Sequence, residues 1–361
     1  MSEMKSMLVN TVERLLQDLC PPETVNGAEK GEWPAKLWDA LEDAGLPRAW
    51  LSEEAGGSGV GVGDVLAVLR AAGRFAAPVP LAETLLAGWL LEAAGLRIPD
   101  GPLSVAPVTV EDRIAFRRTA NGWQLSGTAR HVPWGAAAGY LAVVARAGNK
   151  TRVALVESSR CRITQGKNLA GEPRDTVNFD GVTVLAGNAA EAPAGISQAA
   201  LWQRGALTRV ALMTGAIEKA MDLSLRYAND RVQFGKPIGK FQAVQQQLAL
   251  MSGEVAAALV ATDASGQAAD RARGLGETAC AKTRVGEAAG VVAALAHQIH
   301  AAIGVTYEHT LHHSTRRLWS WREEFGAEAD WAGYLGHWIA RLGPDGLWPA
   351  MTSPAGIPVK A

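Results

Sequence analysis

Apolar residues over the first hundred positions recur at three- and four-residue spacing, which is the period of an amphipathic helix. The first helix carries one such face, formed by Leu8, Val12, Leu15 and Leu16. The same spacing predicts three further helices, at residues 33–44, 64–73 and 81–94. Asp64 is expected to cap the helix that it begins, because a carboxylate can accept the free N–H groups there. Residues 1–103 are therefore predicted to form an N-terminal helical domain.

The pattern changes to short alternating or β-branched segments from residue 104 to 192. The predicted strands are 113–117, 122–125, 140–146, 153–157 and 176–179. Turn pairs such as Asn121-Gly122 separate them, as expected for antiparallel hairpins. No long helical pattern interrupts the strands, so a Rossmann-type βαβ unit is excluded. We predict a small antiparallel β domain.

Long helical patterns return from residue 193 to 342. They occupy 197–228, 241–267, 278–302 and 309–340. Helices of this length and number predict an up-and-down bundle. The tail, residues 343–361, contains several prolines and is predicted to be irregular. The predicted fold class is α+β and mostly α: N-terminal helices, a middle antiparallel β domain and a C-terminal four-helix bundle.

The composition limits the kinds of molecule that the protein is expected to bind and the cellular compartment in which it is expected to work. The chain has 361 residues, is 48% apolar and carries a net charge of −1, which argues against nucleic acid or an anionic membrane. Its three cysteines lie far apart and form no metal-type spacing, which favours a reducing, cytoplasmic compartment. No signal-peptide pattern begins the sequence, and the apolar runs are too short to span a bilayer.

Residues 227–242 read Y-A-N-D-R-V-Q-F-G-K-P-I-G-K-F-Q and join two long helical patterns. We call this segment the elbow. Its Gly235, Pro237 and Gly239 require the backbone to turn. Arg231 falls in the last turn of the preceding helix, where a cation complements the negative helix end. From the residues alone, the elbow is a capped helical hairpin.

Two other clusters invite functional interpretations, but each has a simpler one. The glycine-rich stretch 56–63 lacks the Lys-Ser/Thr ending of a phosphate-binding loop, so a plain loop is favoured. The C-terminal half also contains a histidine cluster: His300, His309, His312 and His313. Because this spacing brings no carboxylate or cysteine, we predict no metal site.

The order of domains and four motifs together resemble the acyl-CoA dehydrogenase family. The motifs are L-W-D-A-L-E-D-A-G-L with E-E-A-G-G-S-G-V, W-Q-L-S-G-T-A-R-H-V-P-W, the elbow, and Q-I-H-A-A-I-G-V-T-Y-E-H. The resemblance covers nearly the whole chain. It implies FAD as cofactor, an acyl-CoA thioester as substrate, and oxidation of the Cα–Cβ bond. It also implies an oligomer in which each FAD lies between subunits, with its ADP end held by the bundle of a neighbour.

The resemblance assigns roles to residues of this sequence. Arg231 would pair with the FAD pyrophosphate, Phe234 would pack on the adenine end, and Gln242 would donate a hydrogen bond. Further donors to the ADP part would come from Gln298 and from the turn formed by Ala301, Ala302 and Gly304. Trp134 would stack beside the flavin ring, although a core tryptophan is an equal alternative.

The sequence departs from the family at the ring and base side. The acidic-Ala-Gly-Ser-Asp type motif is absent from residues 101–111, and residues 135–137 offer no hydroxyl near the flavin. The position that usually holds the catalytic glutamate is Phe325. Its neighbour Glu324 is the candidate base, but a one-residue shift rotates a side chain by about 100°. Other members place the base near residues 206–207, where this chain has Ala-Leu.

Four interpretations remain open. We prefer a non-catalytic or FAD-sharing subunit of a heteromeric acyl-CoA dehydrogenase, a dimer of dimers with a second chain, as in bacterial degradation of fatty acids or sterol side chains. The first alternative is a self-sufficient homo-oligomeric dehydrogenase with Glu324 as base. The others are a flavin-free acyl-CoA-binding scaffold and a flavin-dependent oxygenase. The preference rests on the missing ring- and base-side features, because the ADP-side features are retained.

Overall fold

The structure is a computed structural model, and it describes residues 3–271 and 274–352. Its helices are α1 (Glu3–Leu19), α2 (Pro22–Glu29), α3 (Ala35–Asp43), α4 (Val62–Arg74), α5 (Leu81–Ala93), α6 (Gln198–Asp230), α7 (Gln242–Asp270), α8 (Leu275–His300), α9 (Leu311–Trp321), α10 (Glu328–Leu342) and α11 (Pro344–Thr352). Its strands are β1 (Leu103–Ala106), β2 (Ala115–Thr119), β3 (Gly122–Ser126), β4 (Thr128–Pro133), β5 (Tyr140–Ala147), β6 (Lys150–Glu157), β7 (Arg162–Thr164), β8 (Arg174–Asn178), β9 (Thr183–Leu185), β10 (Ala189–Glu191), β11 (Val232–Gln233) and β12 (Lys236–Pro237).

One compact unit, which we call the sheet unit, comprises Asn26–Gly61 and Pro78–Gly205. Its larger sheet has the order β10-β6-β5-β2-β3-β9, and a smaller sheet has the order β4-β8-β7. Its apolar core includes Leu125, Leu141, Val177 and Phe179. Most strand pairs are antiparallel, as predicted, but β1 and β2 each pair with β5 in parallel. The long connection through β2, β3 and β4 makes the parallel pairing of β1 with β5 possible.

The other compact unit, the bundle unit, comprises the described residues of Met1–Val25, Val62–Ala77 and Ala206–Ala361. Helices α4 and α6 touch here through glycines. A Cβ on Gly73 would lie 2.0 Å from the Leu212 carbonyl oxygen, and one on Gly215 would lie 1.9 Å from that of Arg70. Only glycine permits this approach, so α4 groups with the C-terminal helices. The domain boundaries drawn from the sequence stay predictions.

The structure corrects three predicted elements. The segment 309–340 is two helices, α9 and α10, because Phe325 and Gly326 take positive φ angles of 53° and 93°. Helix α4 begins at Val62 rather than Asp64, and its first N–H groups are accepted by the Asp270 carboxylate from α7. The tail is helical from Pro344 to Thr352, because a proline in a first turn lacks only an N–H that would be free anyway. Residues 353–361 lie outside the described residues.

The glycine-rich stretch is a loop as far as Gly61, as predicted, and α4 follows it. A Cβ on Gly57 would lie 2.3 Å from the Leu51 carbonyl oxygen and 2.4 Å from that of Arg48. The glycine is therefore required by close backbone packing, which accounts for it without a phosphate.

Two helical runs are longer than the apolar runs from which the sequence argued against a membrane span. Gln242–Asp270 and Leu275–Val305 could cross a membrane by length and composition. Core helices of soluble proteins pass the same test, and these two pack against each other in the bundle unit. They are weak evidence for a membrane span.

Candidate functional site

The elbow is a short hairpin at the end of α6. Strands β11 and β12 pair, and Phe234 and Gly235 close the turn at φ 50° and 75°. The Phe234 side chain is 93% exposed and meets Phe241 edge-on at 6.2 Å. Arg231 and Gln242 are exposed on either side of this hairpin. The predicted turn is confirmed, and the elbow presents an aromatic ring, a guanidinium and an amide to solvent.

A second exposed turn follows α8. Ala301 takes a φ of 52° and a ψ of −139°, a backbone conformation that a residue with a Cβ rarely adopts. Gln298, Ala301 and Ala302 are exposed, whereas Gly304 is buried. A Cβ on Gly304 would lie 3.0 Å from the His300 Cβ, so this glycine lets the turn lie tightly on the helix end.

An aromatic stack joins the two turns. The Tyr227 ring, one turn before Arg231, stacks on the His300 ring with centroids 4.6 Å apart. The His309 ring lies 4.6 Å from His300 and 6.2 Å from Tyr227. Burial lowers the pKa of both His300 and His309, which keeps these rings neutral. The structure therefore brings the elbow and the α8 turn together on the bundle unit.

The base side has a different character. Glu324 lies in the α9–α10 turn, by which we mean residues 322–327, and its carboxylate accepts a hydrogen bond from Arg209 Nε at 2.6 Å. The Arg209 side chain is 1% exposed, and its guanidinium also lies 5.2 Å from the centroid of the Phe325 ring. Phe325 is buried, and its carbonyl accepts the Trp331 indole N–H at 2.9 Å. The candidate base is thus engaged in an ion pair with a buried cation.

Lys282 of α8 also contacts the α9–α10 turn. It is fully buried, and its Nζ donates hydrogen bonds to the Arg322 and Gly326 carbonyl oxygens, both at 2.6 Å. Burial lowers the pKa of this lysine to about 8. Arg322 in turn pairs with Glu328 at 2.8 Å. The α9–α10 turn is held by buried cations at several points.

The sequence did not predict the roles of Arg209 and Lys282. A signal was present for Arg209, which interrupts the apolar stretch A-L-T-R-V-A-L of a long helix, but not for Lys282, which stands near Arg284 in A-C-A-K-T-R-V. A charged residue in such a place needs a partner inside the protein. What the sequence could not supply was the partner, since Arg209 and Glu324 lie 115 positions apart.

Trp134 does not join the other candidates, because it belongs to the sheet unit. It is buried at φ 56°, and its ring meets Trp33 edge-on at 6.3 Å. The turn after it is held by Asp175, which accepts the Ala136 N–H at 2.8 Å. This geometry suits a core tryptophan, and its contact with a flavin stays a prediction.

The histidines form no metal site in the part of the chain that the structure describes, where no group of three or more His, Cys, Asp or Glu could hold an ion. The His312 and His313 rings lie 4.3 Å apart. Burial lowers the pKa of His313 to about 3, so the pair avoids two positive charges.

Comparison with known proteins identifies the fold. Residues 2–96 match the acyl-CoA dehydrogenase N-terminal domain, and residues 197–328 match the C-terminal domain. The chain is 30% identical over 266 residues to acyl-CoA dehydrogenase FadE27 of Mycobacterium tuberculosis, covering 66% of this chain and 68% of that protein. The chain belongs to the acyl-CoA dehydrogenase family. It is an oxidoreductase of that family, as the motifs predicted.

Two further proteins are similar over most of their own length and most of this chain. Acyl-CoA dehydrogenase IpdE2 of Mycolicibacterium smegmatis is 29% identical over 320 residues, covering 86% of this chain and 91% of that protein. One chain of the crystal structure of the ChsE4–ChsE5 complex of Mycobacterium tuberculosis superposes with a TM-score of 0.87 at 25% identity, covering 94% of this chain and 98% of that chain. The predicted fold class is therefore confirmed, and the fold is like that of soluble acyl-CoA dehydrogenases.

Proposed function

We propose that this chain is an FAD-sharing subunit of a heteromeric acyl-CoA dehydrogenase and supplies no base of its own. One observation carries the proposal: the carboxylate nearest the expected base position, Glu324, is paired with the buried Arg209 at 2.6 Å. A general base must be free to accept a proton from substrate. A carboxylate beside a fixed buried cation is stabilised as the ion, which makes it a weaker base.

The exposed surface of the bundle unit suits the ADP half of FAD. Arg231 presents a planar guanidinium, which binds a pyrophosphate through paired hydrogen bonds. Phe234 offers an open ring face for the adenine, and Gln242 and Gln298 offer amide donors beside it. FAD, when bound, would supply the hydride acceptor for oxidation of an acyl-CoA. This chain's residues would hold its nucleotide end in an active site completed by another subunit.

A heteromeric assembly also agrees with the relatives. The ChsE4–ChsE5 complex contains two different chains, and many members of the family are flavoproteins. The alternatives remain a homo-oligomer that uses Glu324 and a scaffold without flavin. A cytoplasmic location stays part of the proposal.

The test is to purify the chain alone and together with a second acyl-CoA dehydrogenase chain encoded nearby, and to record flavin absorbance and acyl-CoA oxidation for each. We expect no flavin absorbance from this chain alone. The complex of the two chains should show flavin absorbance and should oxidise an acyl-CoA. A yellow, active protein from this chain alone would overturn the subunit role. A pair that binds neither flavin nor acyl-CoA would overturn the dehydrogenase proposal.

Arg231→Ala then tests the elbow in the pair. Loss of a charge-assisted contact to pyrophosphate should weaken FAD retention by about tenfold or more. Arg226→Ala is the matched control, since Arg226 is exposed on the same helix and precedes the elbow. Equal flavin retention in the two variants would remove Arg231 from the cofactor site.

A further inference from the structure

Arg204 lies in the second turn of α6, within the sheet unit. Its guanidinium carbon is 4.4 Å from the centroid of the Trp89 ring and 5.1 Å from that of Trp50. The two indoles stack with centroids 6.5 Å apart and 25° between their planes. Tryptophan is the aromatic residue that attracts a cation most strongly. The three side chains therefore fix one guanidinium against a two-ring platform.

This cation lacks a counter-charge. Among residues 3–271 and 274–352, no carboxylate pairs with Arg204 and no atom accepts a hydrogen bond from it. Other arginines of the sheet unit do have carboxylates: Arg174 pairs with Glu172 and Arg130 pairs with Asp112, each at 3.0 Å. Arg204 is partly buried, and burial lowers its pKa. Desolvating a cation without an anion is unfavourable, so an external anion would relieve that cost.

The Arg204 side chain is only partly buried, so a ligand can reach it from solvent. In the part of the chain that the structure describes, no Arg204 nitrogen is among the fully buried side-chain atoms without a hydrogen-bond partner, so its unbonded N–H groups keep contact with solvent. A planar fork with free N–H groups binds carboxylate and phosphate oxygens in pairs.

We propose that Arg204, Trp50 and Trp89 form an anion-binding subsite that takes a carboxylate or phosphate group of the ligand. The inference rests on the proposed function where the ligand is an acyl-CoA. The anion has two sources there, a carboxylate at the far end of the acyl group or the 3′-phosphate of the CoA part. The platform would then select between acyl-CoA substrates or add affinity for CoA itself.

Isothermal titration of the full chain, in complex with its partner if it requires one, separates these sources. Succinyl-CoA and butyryl-CoA have equal chain lengths and differ in one carboxylate. CoA and 3′-dephospho-CoA differ in one phosphate. We expect one pair to show a preference for the more anionic member of about tenfold or more, and Arg204→Gln to abolish it. Arg118→Gln is the control, because Arg118 lies 5.1 Å over Trp123 in the same unit but is exposed.

Two outcomes overturn the subsite: Arg204→Gln keeps the wild-type preference, or the wild type shows none in either pair. Arg204→Lys guards against misfolding, since it keeps the charge but loses the fork, and it should retain a smaller preference. If wild type binds no CoA compound, the acyl-CoA proposal fails by itself. Thermal shifts with succinate and with inorganic phosphate then decide the subsite: it stands if either stabilises wild type but not Arg204→Gln, and falls otherwise.

Discussion

The elbow and the α9–α10 turn both link helices of the bundle unit, but they differ in whether their functional groups are exposed to solvent or bonded inside the protein. The elbow leaves Arg231 and Phe234 exposed to solvent. The polar groups of the α9–α10 turn are instead bonded inside the protein, since the buried Lys282 of α8 and Arg209 of α6 contact them. Groups that bind a ligand must be available, whereas groups that hold a fold are satisfied internally.

This difference separates binding from architecture better than residue type does. Glu324 has the chemistry of a base, but its carboxylate stabilises a buried arginine. Phe234 has no acid–base or nucleophilic group, but its ring is 93% exposed and, apart from its edge contact with Phe241, is available to a ligand. The predictions below test each side, beginning with the largest effect.

Lys282→Met should destabilise the protein most. The change keeps the length of the side chain but leaves the Arg322 and Gly326 carbonyl oxygens without their buried donor. Losing a buried ionic donor of this kind costs about 3 to 5 kcal/mol. Urea unfolding followed by circular dichroism measures it, with the exposed Lys240→Met as control. Equal stability of the two variants would mean that the turn is not held by Lys282.

Glu324→Gln should lower stability by about 3 kcal/mol, because it removes the negative charge beside buried Arg209. Turnover of the assembled enzyme should stay near that of wild type. The neighbouring Glu323, whose side chain is 65% exposed, provides the control Glu323→Gln, with an expected change below about 0.5 kcal/mol. A loss of turnover of about a hundredfold or more in stably folded Glu324→Gln would make Glu324 the base.

The sequence predicted the elbow well but not the α9–α10 turn, for a physical reason. The elbow turn depends on neighbouring residues, Gly235 and Pro237, whose types favour a turn, so it can be predicted from the sequence. The break after α9 depends on contacts of Arg209 and Lys282 from two other helices, and no local residue but Gly326 marks it. The parallel pairing of β1 with β5 escaped prediction likewise, since Leu103 and Tyr140 pair over a long separation.

The third largest effect is expected from acid, which should lower the stability contributed by the stack of Tyr227, His300 and His309. Burial lowers the pKa of His300 and His309 below that of a free histidine. As pH falls, the unfolded chain therefore binds protons at these histidines before the folded chain does. This stability is therefore present above a pH of about 6.5 and is lost as pH falls, by at most about 1.4 kcal/mol per unit for each ring.

His300→Phe keeps a ring against Tyr227 but cannot titrate. Its unfolding free energy should fall less between pH 7 and pH 5 than that of wild type. The control is His337→Phe, because His337 is exposed on α10. If wild type and His300→Phe lose stability in parallel, the stack does not carry the acid sensitivity.

The smallest effect on stability is expected at Phe234, and it isolates binding from folding. Phe234→Ser removes a ring that is 93% exposed, so unfolding should change by less than about 0.5 kcal/mol. Phe241→Ser should cost more, since Phe241 is partly buried and also lies under Lys236 at 4.4 Å. In the assembled enzyme, Phe234→Ser should nevertheless lower flavin retention, because an open ring face at the elbow is what the adenine would stack on. Unchanged flavin retention with unchanged stability would leave Phe234 outside the cofactor site and reduce the elbow to its guanidinium.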